Sequence, residues 1–316
     1  MKASWPPVII VVASVLWGTT GTAASFLPPS VPGFATGSAA MGIGGVLLLA
    51  VFFKRSLRAL RHPLARKWIV AGGVSVFLYP LAFYTGLQAA GVAIGTVANI
   101  GSAPLFAAII ERVVSGRPLT RRWGIGAILA VLGLIMLTVG TRRKHEAVGE
   151  APGLAFGLLC ALVAGLLYAA YTYTSKRAIE HHPRSTGVMS ATFGIGGLML
   201  MPIVVVNAPV YFQSWETISV NAYLAVVAVF LAYWLFGVGL KKVSATTATT
   251  ISLIEPVTAA CLAVVVAGEW ITLLGWCGIG LILCSVLMES TAPPPPGPRT
   301  AAVWFSETGS KEHSQS

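Results

Sequence analysis

The chain has 316 residues, 56% of them hydrophobic and only 10% charged, with a mean hydropathy of +0.81. Soluble domains carry about 25% charged residues, so this composition excludes an ordinary water-soluble globule and places the chain in a membrane. The net charge of +11 sits in short loops, with no basic patch interleaved with aromatics outside the apolar runs; it is a topology signal and excludes a nucleic-acid surface.

Ten apolar runs follow in order, at about 8–27, 33–53, 68–88, 91–113, 123–140, 152–175, 186–206, 220–240, 244–267 and 270–288. Each has 18 to 24 residues, enough to cross a hydrocarbon core of roughly 30 Å at about 1.5 Å per residue. Backbone in lipid must satisfy itself, which leaves an all-α integral membrane fold of ten transmembrane helices. The first run imitates a secretory signal, with Lys2 ahead of it and Ala23 and Ala24 near its end. It is long enough to span, however, and completes an even set of ten, so it reads as the first helix.

Loop charge sets the orientation. With the N-terminus in the cytoplasm, inside segments hold eighteen Lys and Arg, including Lys54, Arg55, Arg58 and Arg61, whereas outside segments hold only Arg142, Arg143 and Lys144. Both termini are therefore expected on the cytoplasmic side of the plasma membrane. The loop between helices five and six, TRRKHEAVGE, runs against the rule.

The chain is also doubled. Pro256 lies 152 residues after Pro104, and the same offset pairs Gly116 with Gly268, Thr120 with Thr272, Gly126 with Gly278 and Ala103 with Glu255. Residues 1–141 are expected to form a first five-helix repeat, 142–151 a connecting loop, and 152–289 a second repeat. Residues 290–316, with the run PPPPGP, read as a disordered cytoplasmic tail. Five spans per repeat is an odd number, so consecutive copies enter the membrane from opposite sides. That gives an inverted repeat, an architecture used by many secondary transporters. Small residues recur four apart in the sixth helix (Gly153, Gly157, Ala161, Gly165, Ala169) and in the fourth (Gly95, Asn99, Ala103, Ala107). Such stripes let helices approach closely, either for packing alone or as sliding surfaces. The four cysteines, Cys160, Cys261, Cys277 and Cys284, fall inside apolar runs without metal-ligand spacing and read as small hydrophobes.

The candidate site centres on Glu255, near the middle of the ninth run and followed by Pro256. A carboxylate at that depth costs roughly 2.5–3.5 kcal/mol on insertion scales, and the proline withholds an N–H from the helix. An intramembrane acid either exchanges a proton between the two faces or is a capped acid that fixes a helix break. Pro104 and Pro256 are the helix-break candidates. Thr246, Thr247, Thr249, Thr250 and Ser252 precede the acid; their hydroxyls either bind substrate or bond back to helix carbonyls. Asn99, one turn before Ala103, either bonds between helices or faces a cavity near Glu255. Of the aromatic candidates Trp17, Tyr79, Tyr84, Tyr168, Tyr171, Tyr233 and Trp234, Trp17 and Tyr168 lie mid-span and are the two expected to line a cavity, where cation–π contact with an ammonium is available. Glu111 with Arg112, and Lys241 with Lys242, read as charges at the cytoplasmic interface, and His181 and His182 as solvated. GIGG at 42–45 and 194–197 follows no strand and is no dinucleotide site.

The motifs LWGTTGTAASF in the first helix, ATTISLIEPVTAACLAVVVAGEWITLLGWCGIGLIL across the ninth and tenth, and the weaker copy GTVANIGSAPLFAAIIERVVSGRPLTRRWGIGAIL across the fourth and fifth resemble the EamA-type permeases of the drug/metabolite transporter superfamily. The likeness spans roughly residues 8 to 289. It implies a ten-helix, inverted-repeat secondary carrier of the bacterial inner membrane that exports amino acids, related metabolites or drugs. Trp17 and Gly18 match the family's first-helix pair, Pro104 and Pro256 its paired prolines, and Glu255 an acid often seen before the second proline. Gly268-Glu269 match its Gly-Glu turn; in the first copy that turn reads Gly116-Arg117, without the acid. Many members open the second helix with an arginine. Here the stretch is FATGSAAMGIGG, with no charge, so the substrate class is expected to differ where that arginine binds an anionic group.

The leading expectation is a proton-coupled exporter of a small organic metabolite or drug, with the bilayer, the solute and protons as partners. An uptake carrier or uncoupled facilitator is the alternative, because gradients set direction. A non-transporting scaffold does not require doubled units with polar mid-span residues. A membrane enzyme needs a His-Glu-His cluster or a serine with its base, and neither is present. No pattern for a metal, an organic cofactor or a nucleotide-binding loop occurs, and no oligomeric state follows from the sequence.

Overall fold

A computed structural model of the chain describes residues 5–28, 30–116, 120–141, 153–182, 184–268 and 270–291. The connecting loop at 142–151, the tail from 292, Arg117 and Glu269 lie outside the described residues. Among the described residues, ten helices are long and apolar enough to span a bilayer: α1 (Pro6–Ala24), α2 (Gly33–Val51), α3 (Pro63–Ala90), α4 (Val92–Ser115), α5 (Arg121–Gly140), α6 (Leu154–His181), α7 (Ser185–Val206), α8 (Trp215–Leu240), α9 (Ala245–Val266) and α10 (Leu273–Ser290). Among the described residues there is no strand. Some helices outrun the apolar stretches that predict them. Pro63 occupies the first turn of α3, where its missing N–H costs nothing, and the helix carries Arg66 and Lys67 beyond the apolar run. At the start of α8 the Ser214 hydroxyl accepts the Thr217 N–H at 3.2 Å, which caps the helix several residues early.

The repeated residues build the same device twice. α4 ends at Gly116 (φ 64°) and α9 at Gly268 (φ 66°), both left-handed, a conformation that favours glycine. Four residues on, Thr120 accepts the Trp123 N–H at 3.1 Å and Thr272 accepts the Gly275 N–H at 3.4 Å, capping α5 and α10. Helix pairing respects the same correspondence. α3 packs on α6 as α8 packs on α1; α4 meets α6 as α9 meets α1; α3 lies on α7 as α8 lies on α2; and α2–α7, α4–α9 and α5–α10 pair across the halves. Exchange of the halves thus preserves these pairings.

Close approach rests on the small residues. A methyl on Gly157 would collide with the backbone of Ala89 and Ala90, and one on Gly165 would lie 2.7 Å from the Asn99 carbonyl. The α6 stripe therefore packs α6 against α3 and α4. On α5 and α10, a methyl on Gly133 would lie 2.7 Å from the Gly278 carbonyl. The opposite side of α5 exposes Ile125, Ile128, Leu132, Ile135 and Val139, a stripe at helical spacing for lipid.

Three of the departures from ten plain spans bear on the site or its surroundings. A short basic helix, Phe53–Arg61, follows α2 and rests on α7 through a Ser56–Ser190 hydroxyl contact of 2.7 Å. α8 carries a π-helical stretch, Leu224–Leu231. α9 is broken at Ser252 and Leu253. Pro256 explains the last: it cannot donate to the Ser252 carbonyl, which instead accepts the Glu255 N–H at 2.9 Å in a tight turn. The expected break at Pro104 does not occur, because α4 runs unbroken from Val92 to Ser115. One lost helix bond and a buried pyrrolidine are absorbed there by packing.

Candidate functional site

A cavity of about 630 Å³ occupies the half of the bundle away from the N-terminal face. Its mouth lies among the ends of α1 (Thr20, Ala24), α3 (Leu87) and α5 (Thr141), the start of α4 (Val92) and the α9–α10 link at Trp270 and Ile271. Its floor lies mid-span at Trp17, Tyr79, Tyr168, Tyr171, Tyr233 and Glu255. Glu255 is the one acidic or basic side chain among the described lining residues. The α2 wall is Thr36, Gly37, Ala40 and Met41, so the uncharged opening of that helix leaves no cation to offset the acid.

The break in α9 places Glu255. Its second half starts at Ile254, with Glu255 in the first turn. A helix N-terminus, whose free N–H groups and dipole favour negative charge, is thereby created in mid-membrane beside the carboxylate. Gly18 lets α1 close on this point: a methyl there would lie 2.7 Å from the Glu255 carbonyl and clash with Thr258. Trp17, one residue earlier, turns its ring into the floor and donates its indole N–H to the Ala228 carbonyl at 3.0 Å. That carbonyl belongs to the π-helical stretch of α8, where the looser winding presents backbone to neighbours.

The aromatic floor is continuous. Trp17 contacts Tyr233 at 4.8 Å between ring centroids and meets Tyr168 edge-on at 6.4 Å; Tyr168 stacks on Tyr171 at 5.2 Å. Tyr79 meets Tyr168 at 6.2 Å, and the Tyr171 and Tyr233 hydroxyls lie 3.1 Å apart. No hydrogen bond of standard geometry reaches the Tyr168 hydroxyl, although Ser252 is near enough to interact with it. The faces of these rings carry negative potential, so carboxylate and rings together make a site that attracts a cation with an apolar body.

Of the residues singled out from sequence, Glu255, Pro256, Trp17 and Tyr168 come together at this floor. Asn99 does not line the cavity: it is fully buried behind Tyr79 and donates to the Tyr79 hydroxyl at 3.3 Å, with its own side-chain oxygen unpartnered. Thr250 donates to the Thr246 carbonyl at 3.0 Å and Ser252 to the Ala248 carbonyl at 2.9 Å. Thr247 lies at the N-terminal face, where it donates to Glu289 at 3.3 Å. None of the three lines the cavity; for Thr250 and Ser252 the reason is that a hydroxyl four residues on reaches its own helix carbonyl more readily than a distant solute. Glu111 and Lys176 are nearly inaccessible, at 4% and 8% exposure, so both are buried charges. Tyr79, Tyr84, Tyr171 and Tyr233 join the lining, whereas Trp234 does not. The available signal was spacing: Tyr79 with Phe83, and Tyr168 with Tyr171, sit four and three residues apart and so share helix faces. No group of three or more His, Cys, Asp or Glu side chains that could hold a metal occurs among the described residues.

Comparison with known proteins agrees with this architecture. The EamA-like transporter family matches residues 4–139 and 155–291. The uncharacterized transporter YwfM of Bacillus subtilis (strain 168) is 32% identical over 93% of this chain and 96% of its own length. A Salmonella typhimurium protein named as a probable amino-acid metabolite efflux pump is 24% identical over 78% of this chain and 84% of its own. From the same bacterium, the uncharacterized inner membrane transporter YicL is 24% identical, covering 89% and 93%. A crystal structure that is 21% identical superposes with a TM-score of 0.73 over 91% of this chain and 96% of that one, a likeness of fold. With both halves matched and ten spans around one central cavity, the chain is a multi-pass membrane protein that belongs to the EamA-like transporter family.

Proposed function

We propose that this chain is a proton-coupled secondary exporter of small organic solutes bearing an amine or other cationic group, with Glu255 as the coupling residue. The observation that carries the reading is the lone carboxylate in an aromatic, cation-free cavity. Desolvation opposes an isolated ionised acid, so it holds either a proton or a bound cation. Competition of the two for one group is the minimal device for exchange: a proton displaces the solute, and the solute displaces the proton. The cavity volume falls within the range of roughly 300–1,000 Å³ that holds small ligands. A solute carrying only a carboxylate finds no cationic partner among the described lining residues. Export is supported by the name of one relative, an amino-acid metabolite efflux pump.

The test is proton movement in proteoliposomes preloaded with acid, on addition of amines, amino acids and lipophilic cations, beside Glu255→Gln. A pH change with the cationic compounds, absent in the variant, is expected. Undiminished proton-driven flux in Glu255→Gln would overturn the coupling assignment. Flux without any pH change in the unmodified protein would make the chain a facilitator.

A further inference from the structure

The cavity lies toward one face, and on the opposite side two buried charges bind one short connection. α8 ends at Leu240 and α9 starts at Ala245. From α6, the Lys176 ammonium donates to the carbonyls of Leu240 and Lys241, each at 3.1 Å. From α4, the Glu111 carboxylate accepts the Ala245 N–H at 3.0 Å and the Thr246 hydroxyl at 2.6 Å. A cation thus sits at the C-terminal end of one helix and an anion at the N-terminal end of the next, each on the pole of the dipole that favours it. These are charge-assisted bonds in a nearly water-free place, so moving the connection away breaks four bonds to buried charges.

We infer that Glu111 and Lys176 are the latch of the N-terminal face: they grip the α8–α9 connection while the cavity is open on the other face, and they release it when access changes sides. The latch is one-sided. The repeat offset of 152 residues carries Glu111 to Ala263 and Lys176 to Ala24, and both alanines line the open cavity. Closure of that face therefore has no ionic counterpart at these positions, and the latch biases the empty protein toward the state seen here. Glu111 and Lys176 act on α9, and through it on Glu255, without touching the cavity; they are positioning residues. The inference rests on the carrier reading, because only a protein that alternates access needs a latch.

The experiment uses the full chain with its four native cysteines replaced by serine, in membrane vesicles of both orientations, with an impermeant maleimide and no solute. Thr96→Cys reports the open cavity, and Thr250→Cys, buried between floor and latch, reports the N-terminal face. With the latch intact, Thr96→Cys reacts and Thr250→Cys is protected. Glu111→Gln or Lys176→Met is expected to speed labelling of Thr250→Cys from the N-terminal face by roughly 10-fold or more and to slow that of Thr96→Cys from the other, since a hydrogen bond to a charge is lost. Unchanged rates at both reporters overturn the latch. Faster labelling at both overturns it too, because that is general loosening. Should Glu111→Gln fail to assemble, Thr246→Ala removes one bond to the same carboxylate, and the same pair of rates decides. The carrier reading fails separately, through absence of solute flux in protein whose reporters still respond.

Discussion

α4 and α9 are copies of one element that took different paths. Both carry a proline at the same repeat position, a left-handed glycine at the end and a threonine cap on the next helix. Yet α4 passes Pro104 without interruption, whereas α9 breaks one turn before Pro256. The residue ahead of the proline is Ala103 in one and Glu255 in the other. Ala103 is buried against neighbouring helices, while Glu255 opens onto the cavity. A proline alone therefore does not make a site. The second copy became one by pairing the break with an acid and letting α1 approach through Gly18.

The sharpest way to break this comparison is to remove the acid. Glu255→Gln should abolish proton-driven flux, a loss of ~100-fold or more, while the protein still inserts and purifies as a single species; proteoliposome pH traces and gel filtration check both halves of that statement. Giving the acid to the other copy is next. Ala103→Glu should lower stability by about 3 kcal/mol, the scale for an acid at mid-membrane, without adding a second coupled proton, because position 103 does not line the cavity. Thermal unfolding in detergent with a proton-to-solute count measures it. The prolines separate the copies further. Pro256→Ala restores an N–H that can mend the helix and should slow transport roughly 10-fold by turning Glu255 off the floor, whereas Pro104→Ala in the unbroken helix should leave the rate within about 2-fold. Equal effects of the two would mean that the break in α9 does not position the acid. The smallest effect is expected for Asn99→Ala. It removes one hydrogen bond to Tyr79, worth about 0.6 kcal/mol on average between membrane helices, and should change apparent solute affinity by a few-fold at most.

Much of this was readable in the residues. Ten spans followed from hydropathy, because lipid leaves the backbone few options. The doubling followed from Gly116, Gly268, Thr120 and Thr272, and these proved to be paired stops and caps. Glu255, Trp17 and Tyr168 were visible as polar or aromatic residues deep in apolar runs. What stayed hidden depended on direction about the helix axis. Thr250 and Ser252 look like site residues in a linear text, yet their hydroxyls turn back onto their own helix. Asn99 is polar and central, but its partner Tyr79 stands between it and the cavity. The burial of Glu111 was invisible because its partners, the Ala245 N–H and the Thr246 hydroxyl, lie 134 and 135 residues away. The π-helical stretch of α8 carries no sequence mark, being a uniformly apolar run, LAVVAVFL.

The cavity ends at mid-span, and this has an electrical consequence. Solution that fills it from the open face carries that face's potential down to Glu255. Nearly all of the transmembrane voltage would then fall across the other half, between the aromatic floor and the bonds of Glu111 and Lys176. A charge moved from Glu255 to the N-terminal face crosses almost the full drop, about 2.3 kcal/mol per elementary charge at 100 mV. Under the proposed exchange, one proton traded for one monovalent cation would cancel that work, and such a cycle would run on the chemical gradients alone. A divalent solute leaves one charge uncompensated, so membrane potential itself would sort the solutes this cavity moves by valence.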